Sequence, residues 1–424
     1  MNKRRLVELC DIIVPMRDKP KVFVSEENGV PWCRIEDVEG KFLNNSISQK
    51  YVSKECIVQM NLKVFPVGTV LCAVTGASIG TYAITTRELI TNQTFAGLVC
   101  KENLLYNEFL YYYIKMHTGT FVNNSVGCAQ AYITRETLEN FPIPDLKYDE
   151  QVQLVKVLKY LDDKININNK INAELESMAR TIYDYWFLQF DFPDENGKPY
   201  KSSGGKMVWK EELKREIPEG WESDEIGNLM ESKRGISYNS ATIGAEGVPM
   251  INLASFNTNG TYKPSGIKTY SGVYEQDKVL KPYDLLMCNT QQTAIDFKKD
   301  IIGKAILIPD IFEGDIVSSH HVTAIKTHTD EMKYYLYYLF NTEFFHKYIA
   351  GYTNGTNILG LLFEGVEKYK VTIPSKNVIK KYANIAKDIE KQKCKIIKEN
   401  QELASLRDFL LPLLMNGQVG FKEC

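Results

Sequence analysis

Two stretches of the chain carry apolar residues at steps of four and three, the spacing that lines side chains along one face of a helix. In the first, the stripe runs through Leu154, Leu158, Leu161, Ile165, Asn168, Asn172, Leu175, Ala179, Ile182 and Trp186. In the second it runs through Tyr382, Ala386, Ile389, Lys393, Ile396, Asn400, Leu403, Arg407, Leu410 and Leu414, with Leu403 standing 228 positions after Leu175. A helix over about 149–187 would be roughly 58 Å long, too long to stand without a partner along its stripe. The second helix is the natural partner, in antiparallel pairing. Asn172 and Asn400, beside Leu175 and Leu403, occupy equivalent seam positions, where a polar residue sets register and pairing at some cost in stability.

Ahead of each helix the pattern changes to short apolar strands separated by turns, and the same phrases return in order. Gly29-Val30-Pro31-Trp32-Cys33-Arg34-Ile35 is answered by Gly247-Val248-Pro249-Met250-Ile251-Asn252-Leu253. Phe65-Pro66-Val67-Gly68 leading into Thr69-Val70-Leu71 matches Lys281-Pro282-Tyr283-Asp284 leading into Leu285-Leu286-Met287, a turn feeding an apolar strand. Tyr111 to Tyr113 pairs with Tyr334 to Tyr338, both read as helical core. Phe141-Pro142-Ile143-Pro144 pairs with Val371-Thr372-Ile373-Pro374. Such a duplication fixes the plan before any single motif is trusted. The expected fold class is α+β: two mixed α/β domains in tandem repeat, separated and followed by two long antiparallel coiled-coil-like helices. The boundaries read as 1–148 for the first domain, 149–190 for a central helical spacer and 191–220 for a turn-rich linker entering the second repeat. The second domain follows at 221–375 and a closing helical spacer at 376–424.

Composition narrows the classes. With 44% hydrophobic and 25% charged residues over 424 positions, the chain has material for several cores and is too evenly mixed for long disorder. No apolar run approaches the roughly 18 residues of a membrane helix. Glu8 and Asp11 interrupt what would have to be a signal-peptide core after Met1-Asn2-Lys3-Arg4-Arg5. Nine cysteines without a CxxC pair point to reduced thiols in a cytoplasm. A net charge of −2 excludes the strongly basic signature of a protein that coats nucleic acid without sequence preference, but leaves room for local basic surface.

At this point the chain resembles the specificity subunit of bacterial type I restriction-modification systems, over nearly its whole length. The resemblance is carried by Gly29 to Asp37, by Lys233-Arg234-Gly235-Ile236-Ser237-Tyr238, and by Ala179-Arg180-Thr181-Ile182-Tyr183-Asp184-Tyr185-Trp186-Phe187. Phe192-Pro193-Asp194-Glu195-Asn196-Gly197-Lys198-Pro199-Tyr200, Ile217-Pro218-Glu219-Gly220-Trp221 and Leu410-Leu411-Pro412-Leu413-Leu414-Met415-Asn416-Gly417 add to it. One departure is that the first domain has only Lys3-Arg4-Arg5 where the second opens on a Pro-x-Gly-Trp phrase, so its first strand is expected to be abbreviated. The resemblance implies a non-catalytic, DNA-binding subunit whose two domains each read half of a split, asymmetric target, the helices holding them at fixed separation. It implies double-stranded DNA and two adenine-methylating subunits as partners, with restriction subunits alongside. S-adenosylmethionine would belong to the methylating subunit, and ATP and magnesium to the restriction subunit, with no cofactor or metal in this chain. A cytoplasmic scaffold joining proteins through its helices and peptide-binding domains is the rival reading.

The chemistry-bearing motifs agree with a chain that catalyses nothing. There is no Pro-Pro pair for the base-holding loop of an adenine methyltransferase, and no GxxxxGK[ST], HExxH or GxGxxG. Gly76-Ala77-Ser78-Ile79-Gly80 matches the GxSxG elbow of hydrolases, but strands are expected on both sides of it, whereas an elbow leads into a helix. In the family reading Thr75 and Ser78 would face DNA. His320 and His321, adjacent on an expected strand, should project to opposite sides and so not share a metal. One of the two, with His320 nominated, is a candidate to read a base: the pair lies near Ser318 and Ser319 where the first repeat has Asn92 and Gln93, and such groups can meet base edges or simply hold a loop. Arg17, Lys19, Arg34, Arg234, Lys298 and Lys299 are candidate phosphate or guanine contacts or plain solvated charges. Asn289, Gln291 and Gln292 suit adenine but also cap turns. Gln130, Ser237, Tyr238 and Asn357 complete the candidate DNA-contact set.

Overall fold

The structure, a computed structural model, describes residues 2–15, 19–43, 48–125, 131–292 and 300–418. The chain divides into two compact units: Met1–Asn166 with Glu402–Cys424, and Ile167–Gln401.

In the first unit the main sheet runs in the order Cys10–Ile13, Phe95–Cys100, Val70–Ala73, Tyr82–Thr85, Phe42–Leu43, Val38–Glu39. Val70 to Ala73 and Tyr82 to Thr85 are buried throughout, as expected of strands covered on both faces. One face is covered by the helix Asn107–Met116, whose Phe109 to Ile114 are all buried. Beside this sheet Gly29–Cys33 pairs in parallel with Leu89–Thr91, setting Trp32 against Ile90. Lys3–Arg5 pairs with Pro142–Pro144, three residues where the second unit has four in Glu222–Glu225 against Lys370–Ile373. The first strand is thus one residue shorter than its counterpart.

The second unit repeats the plan. Its main sheet is Met230–Arg234, Val322–Thr327, Leu285–Cys288, Ala305–Leu307, the same order as the first four strands above. Ile243–Ile251 pairs in parallel with Val317–Ser318, so Met250 faces Val317 as Trp32 faces Ile90. The covering helix is Asp330–Phe340, where Tyr334, Tyr335, Tyr337 and Tyr338 are buried. Both tyrosine runs are core.

The long helices are α1, Tyr148–Tyr183, and α2, Lys376–Met415. The boundary between the units falls inside both. Within the first unit Val155, Leu158 and Leu161 of α1 are buried, as are Leu411, Leu414 and Met415 of α2. Within the second, Ala179 and Tyr183 join Tyr382, Ala386 and Ile389 in one core. Pro412 lies inside α2, which loses one amide donor there and continues for three residues more. α1 ends in a π-helical turn, Asp184–Leu188, and Phe190 then adopts a left-handed φ of 66° that stops the helix.

The connector expected to be turn-rich is more ordered than its composition suggests. Met207–Lys210 and Arg215–Pro218 form an antiparallel hairpin. Phe192 stacks on both Tyr200 and Trp221, at centroid separations of 4.7 and 5.1 Å. The aromatic residues among the turn formers supply a small core that turn propensity alone does not reveal.

Candidate nucleic-acid interface

The loops at one end of each main sheet gather most of the residues that the sequence nominates. In the first unit the backbone leaving Val70–Ala73 is tied by Val74 N to Thr94 O at 2.8 Å and by Ile133 N to Val74 O at 2.8 Å. Thr75, Ser78, Asn92 and Gln93 therefore share one sheet end, together with the exposed Tyr132, bridged to Thr75. Ser78 Oγ donates to Thr75 O at 3.0 Å and closes a single turn between two strands. With strand Tyr82–Thr85 following, the elbow geometry is absent. Asn92 Oδ1 accepts from Thr94 N at 3.2 Å, a side-chain turn that leaves Gln93 exposed. Lys19 is exposed, and Arg34 pairs with Glu36 at 3.7 Å. The turn carrying Arg34 is set by buried Asp37, which accepts from Arg34 N at 2.7 Å and Ser48 N at 2.7 Å. Arg17 and Gln130 lie outside the described residues.

The second unit closes the same sheet end in the same way, with Leu361 N donating to Asn289 O at 2.9 Å. Here the residues form a tighter constellation. Gly235 passes so close to the Ser318–Ser319 backbone that a side-chain carbon on it would lie 2.3 Å from the Ser319 carbonyl oxygen. That approach lets Ile236 N reach Ser318 O at 2.7 Å and His320 N reach Ile236 O at 2.8 Å. Arg234 Nε donates to the His320 carbonyl at 2.7 Å, and Tyr238 lies 5.8 Å from the His320 ring. Lys268 sits over the Tyr238 ring at 5.4 Å. Lys278 donates to Arg234 O at 2.9 Å, and Lys233 pairs with Asp277.

His320 and His321 do not project to opposite sides, contrary to the strand-based expectation. The strand ends at Ser318, both histidines occupy the turn before Val322, and their rings lie 3.8 Å apart with 40° between planes. Burial, then the neighbouring His320, Arg234 and Lys268, hold the His321 pKa below its usual value, favouring the neutral ring. Among the described residues no group of three or more His, Cys, Asp or Glu side chains is placed to hold a metal ion.

The amides that suit adenine are differently placed. Asn289 is buried and donates to Thr323 Oγ1 at 2.8 Å, while its oxygen accepts from Thr290 Oγ1 at 3.2 Å. Gln291 is buried and accepts from Ile301 N. The side chain of Gln292, and the whole of Lys298 and Lys299, lie outside the described residues. Ser237 and Asn357 are exposed, Asn357 beside the turn at Gly355. Lys268 and Tyr132, which the structure also places at these sheet ends, were not nominated from the sequence.

In the helix pair, Asn400 bonds to Asn168 at 2.9 Å and to Asn169 at 2.9 Å, while Asn168 also reaches Glu399 at 2.8 Å. Asn172 is not the partner of Asn400, and its side-chain oxygen is buried without a hydrogen-bond partner among the described residues. Leu175 packs against the second unit's core and Leu403 is half-buried. Nearby, buried Lys393 bridges Glu176 at 2.6 Å and Glu390 at 2.8 Å. In the first unit Arg407 pairs with Asp162 at 2.9 Å.

The chain is similar to known proteins over most of its length. The family model described as "Type I restriction modification DNA specificity domain" matches residues 1–177 and again 218–406. Among curated relatives, the type I restriction enzyme MjaIX specificity subunit of Methanocaldococcus jannaschii is 24% identical, covering 93% of this chain and 88% of its own length. The MjaVIII specificity subunit of the same organism is 22% identical, covering 99% and 93%. A crystal structure of a type I restriction-modification S subunit from M. genitalium aligns over 100% of this chain and 96% of its own, with a TM-score of 0.51 at 16% identity, a likeness of fold.

Proposed function

Because the chain belongs to the type I restriction modification DNA specificity family, and is thus a non-catalytic DNA-recognition subunit, we propose that each of its two units reads one half of a split, asymmetric DNA target. The observation that carries this reading is the placement of different polar residues at the same end of the same sheet in both units. Gln93, Thr75 and Tyr132 hold the positions in one, and Arg234, Tyr238, Lys268 and the histidine pair hold them in the other. Different rims on one scaffold call for different half-sites.

The remaining parts follow from the division of labour in such a system. α1 and α2 act as a ruler between half-sites, in the way that dimer geometry fixes half-site spacing. Two copies of an adenine-methylating subunit join the chain and bring S-adenosylmethionine, and restriction subunits, where they join, bring ATP and magnesium. The assembly works in the cytoplasm, a setting that suits the free thiols of Cys10, Cys33, Cys72 and Cys288.

The test is methylome sequencing of a host carrying this chain with its methylating partner, against a host lacking this chain. N6-methyladenine in one split, asymmetric motif that depends on the chain is expected. Its absence, with an assembled and active partner, sinks the reading and favours a scaffold. Inserting one helical turn within Asp162 to Lys170 is expected to change the spacer and neither half-site; an unchanged spacer refutes the ruler.

A further inference from the structure

We propose that Arg234 is a specificity-determining residue of the second unit, reading the major-groove edge of a guanine. The proposal rests on the DNA-recognition role above and names the base chemistry that one rim accepts.

Arg234 closes the strand Met230–Arg234 and leaves the sheet at the crowded rim. Its Nε is spent on the His320 carbonyl at 2.7 Å, and that carbonyl belongs to a turn which is itself fixed, His320 N donating to Ile236 O at 2.8 Å. Asn289 Nδ2 reaches the same carbonyl from below at 3.5 Å. The guanidinium plane is therefore held at one corner. Its two terminal amino groups make no hydrogen bond within the chain among the described residues, and the side chain is exposed. A guanidinium pinned through Nε presents two parallel N–H donors end-on, and guanine is the base whose O6 and N7 offer two acceptors at that spacing. Adenine and cytosine place an amino donor on the same edge and would meet the fork with like polarity.

The other polar groups of the rim sharpen the assignment. Lys233 is paired with Asp277, Lys278 is bound to the Arg234 carbonyl, and Lys268 lies over Tyr238. These are point charges on flexible stems, suited to phosphate. The amides of Asn289 and Gln291, which could have read adenine, are buried and engaged inside the protein. Arg234 is thus an oriented donor pair at a rim where, among the described residues, the Asn289 and Gln291 amides are withdrawn.

The experiment compares methylomes from hosts expressing the full chain, or its R234A or R234K variant, with the methylating partner. The parent motif is expected to carry a guanine at a fixed position of one half-site. R234A should relax that position alone, by roughly tenfold to a hundredfold in discrimination, and leave the other half-site and spacer unchanged. R234K, which keeps the charge and loses the fork, should relax it too. A parent motif without guanine in either half-site overturns the assignment, as does a uniform fall in methylation with the motif intact, the mark of a phosphate contact. Both outcomes leave the recognition role standing, whereas a parent with no chain-dependent motif removes that role and this inference together.

Discussion

The two units share a strand order and the backbone bond that closes the sheet end, Ile133 to Val74 in one and Leu361 to Asn289 in the other. Their rims differ in kind. Among the described residues the first carries Thr75, Ser78, Gln93 and Tyr132 at this end, while the second carries Arg234 and Lys268 around a stacked imidazole pair. The fold depends on buried positions such as Leu71 and Leu286, which hold the same place in the two sheets and are apolar in both. Exposed positions at strand ends cost little to change, commonly within about half a kcal/mol. A duplicated scaffold can therefore diverge in what it reads without diverging in how it folds.

The comparison extends to the buried ionic groups, where the largest mutational effect is expected. Lys393→Met removes the cation between two buried carboxylates of the second unit, leaving Glu176 to Arg180 and Glu390 to the Tyr338 hydroxyl, at a cost of about 3 kcal/mol. Arg407→Met in the first unit, whose Asp162 keeps a hydrogen bond from Tyr112, should cost about half as much. Urea unfolding of the full chain with region-resolved hydrogen exchange checks this; equal losses in the two units would break the asymmetry.

Acid should also separate the units. His346 is buried beside Lys304, and burial followed by that cation pushes its pKa down to about 4 from a usual 6.5. A depressed histidine pKa means that the unfolded chain takes up a proton which the native unit refuses. Stability is whole above about pH 6.5 and is lost as pH falls towards 4, by up to about 3 kcal/mol. Thermal unfolding at pH 7 and pH 4.5 should show the second unit losing more in the parent than in His346→Gln. The same loss in both proteins would place the acid sensitivity elsewhere.

A smaller effect tests the division between phosphate and base contacts. Lys268→Ala should weaken DNA binding alike on all sequences and flatten the slope of log affinity against log salt by about one. A changed motif would assign Lys268 to base reading instead.

Much of this was legible in the residues, and what was not has physical causes. Heptad spacing located α1 and α2, and the paired phrases located the two sheets, because both signals record burial directly. The seam was harder. Asn172 and Asn400 are equivalent under the repeat, yet antiparallel pairing matches residues counted in opposite directions, so Asn400 meets Asn168 and Asn169. The histidine pair was misplaced because alternation of sides holds only while a strand lasts, and this one stops at Ser318. Residue type could not tell that the Asn289 and Gln291 amides are engaged internally, since that depends on burial set by distant strands.

One unit is continuous in sequence and the other is not. The first is completed by residues from Glu402 onward, with Leu411, Leu414 and Met415 entering its core and Arg407 meeting Asp162. On the ribosome, where domains close as their residues emerge, the half that is synthesised first is therefore the half that finishes last. Until the end of α2 emerges, the core that holds Val155 and Leu158 lacks Leu411, Leu414 and Met415, and the nascent N-terminal half waits incomplete for as long as the whole second unit takes to be made.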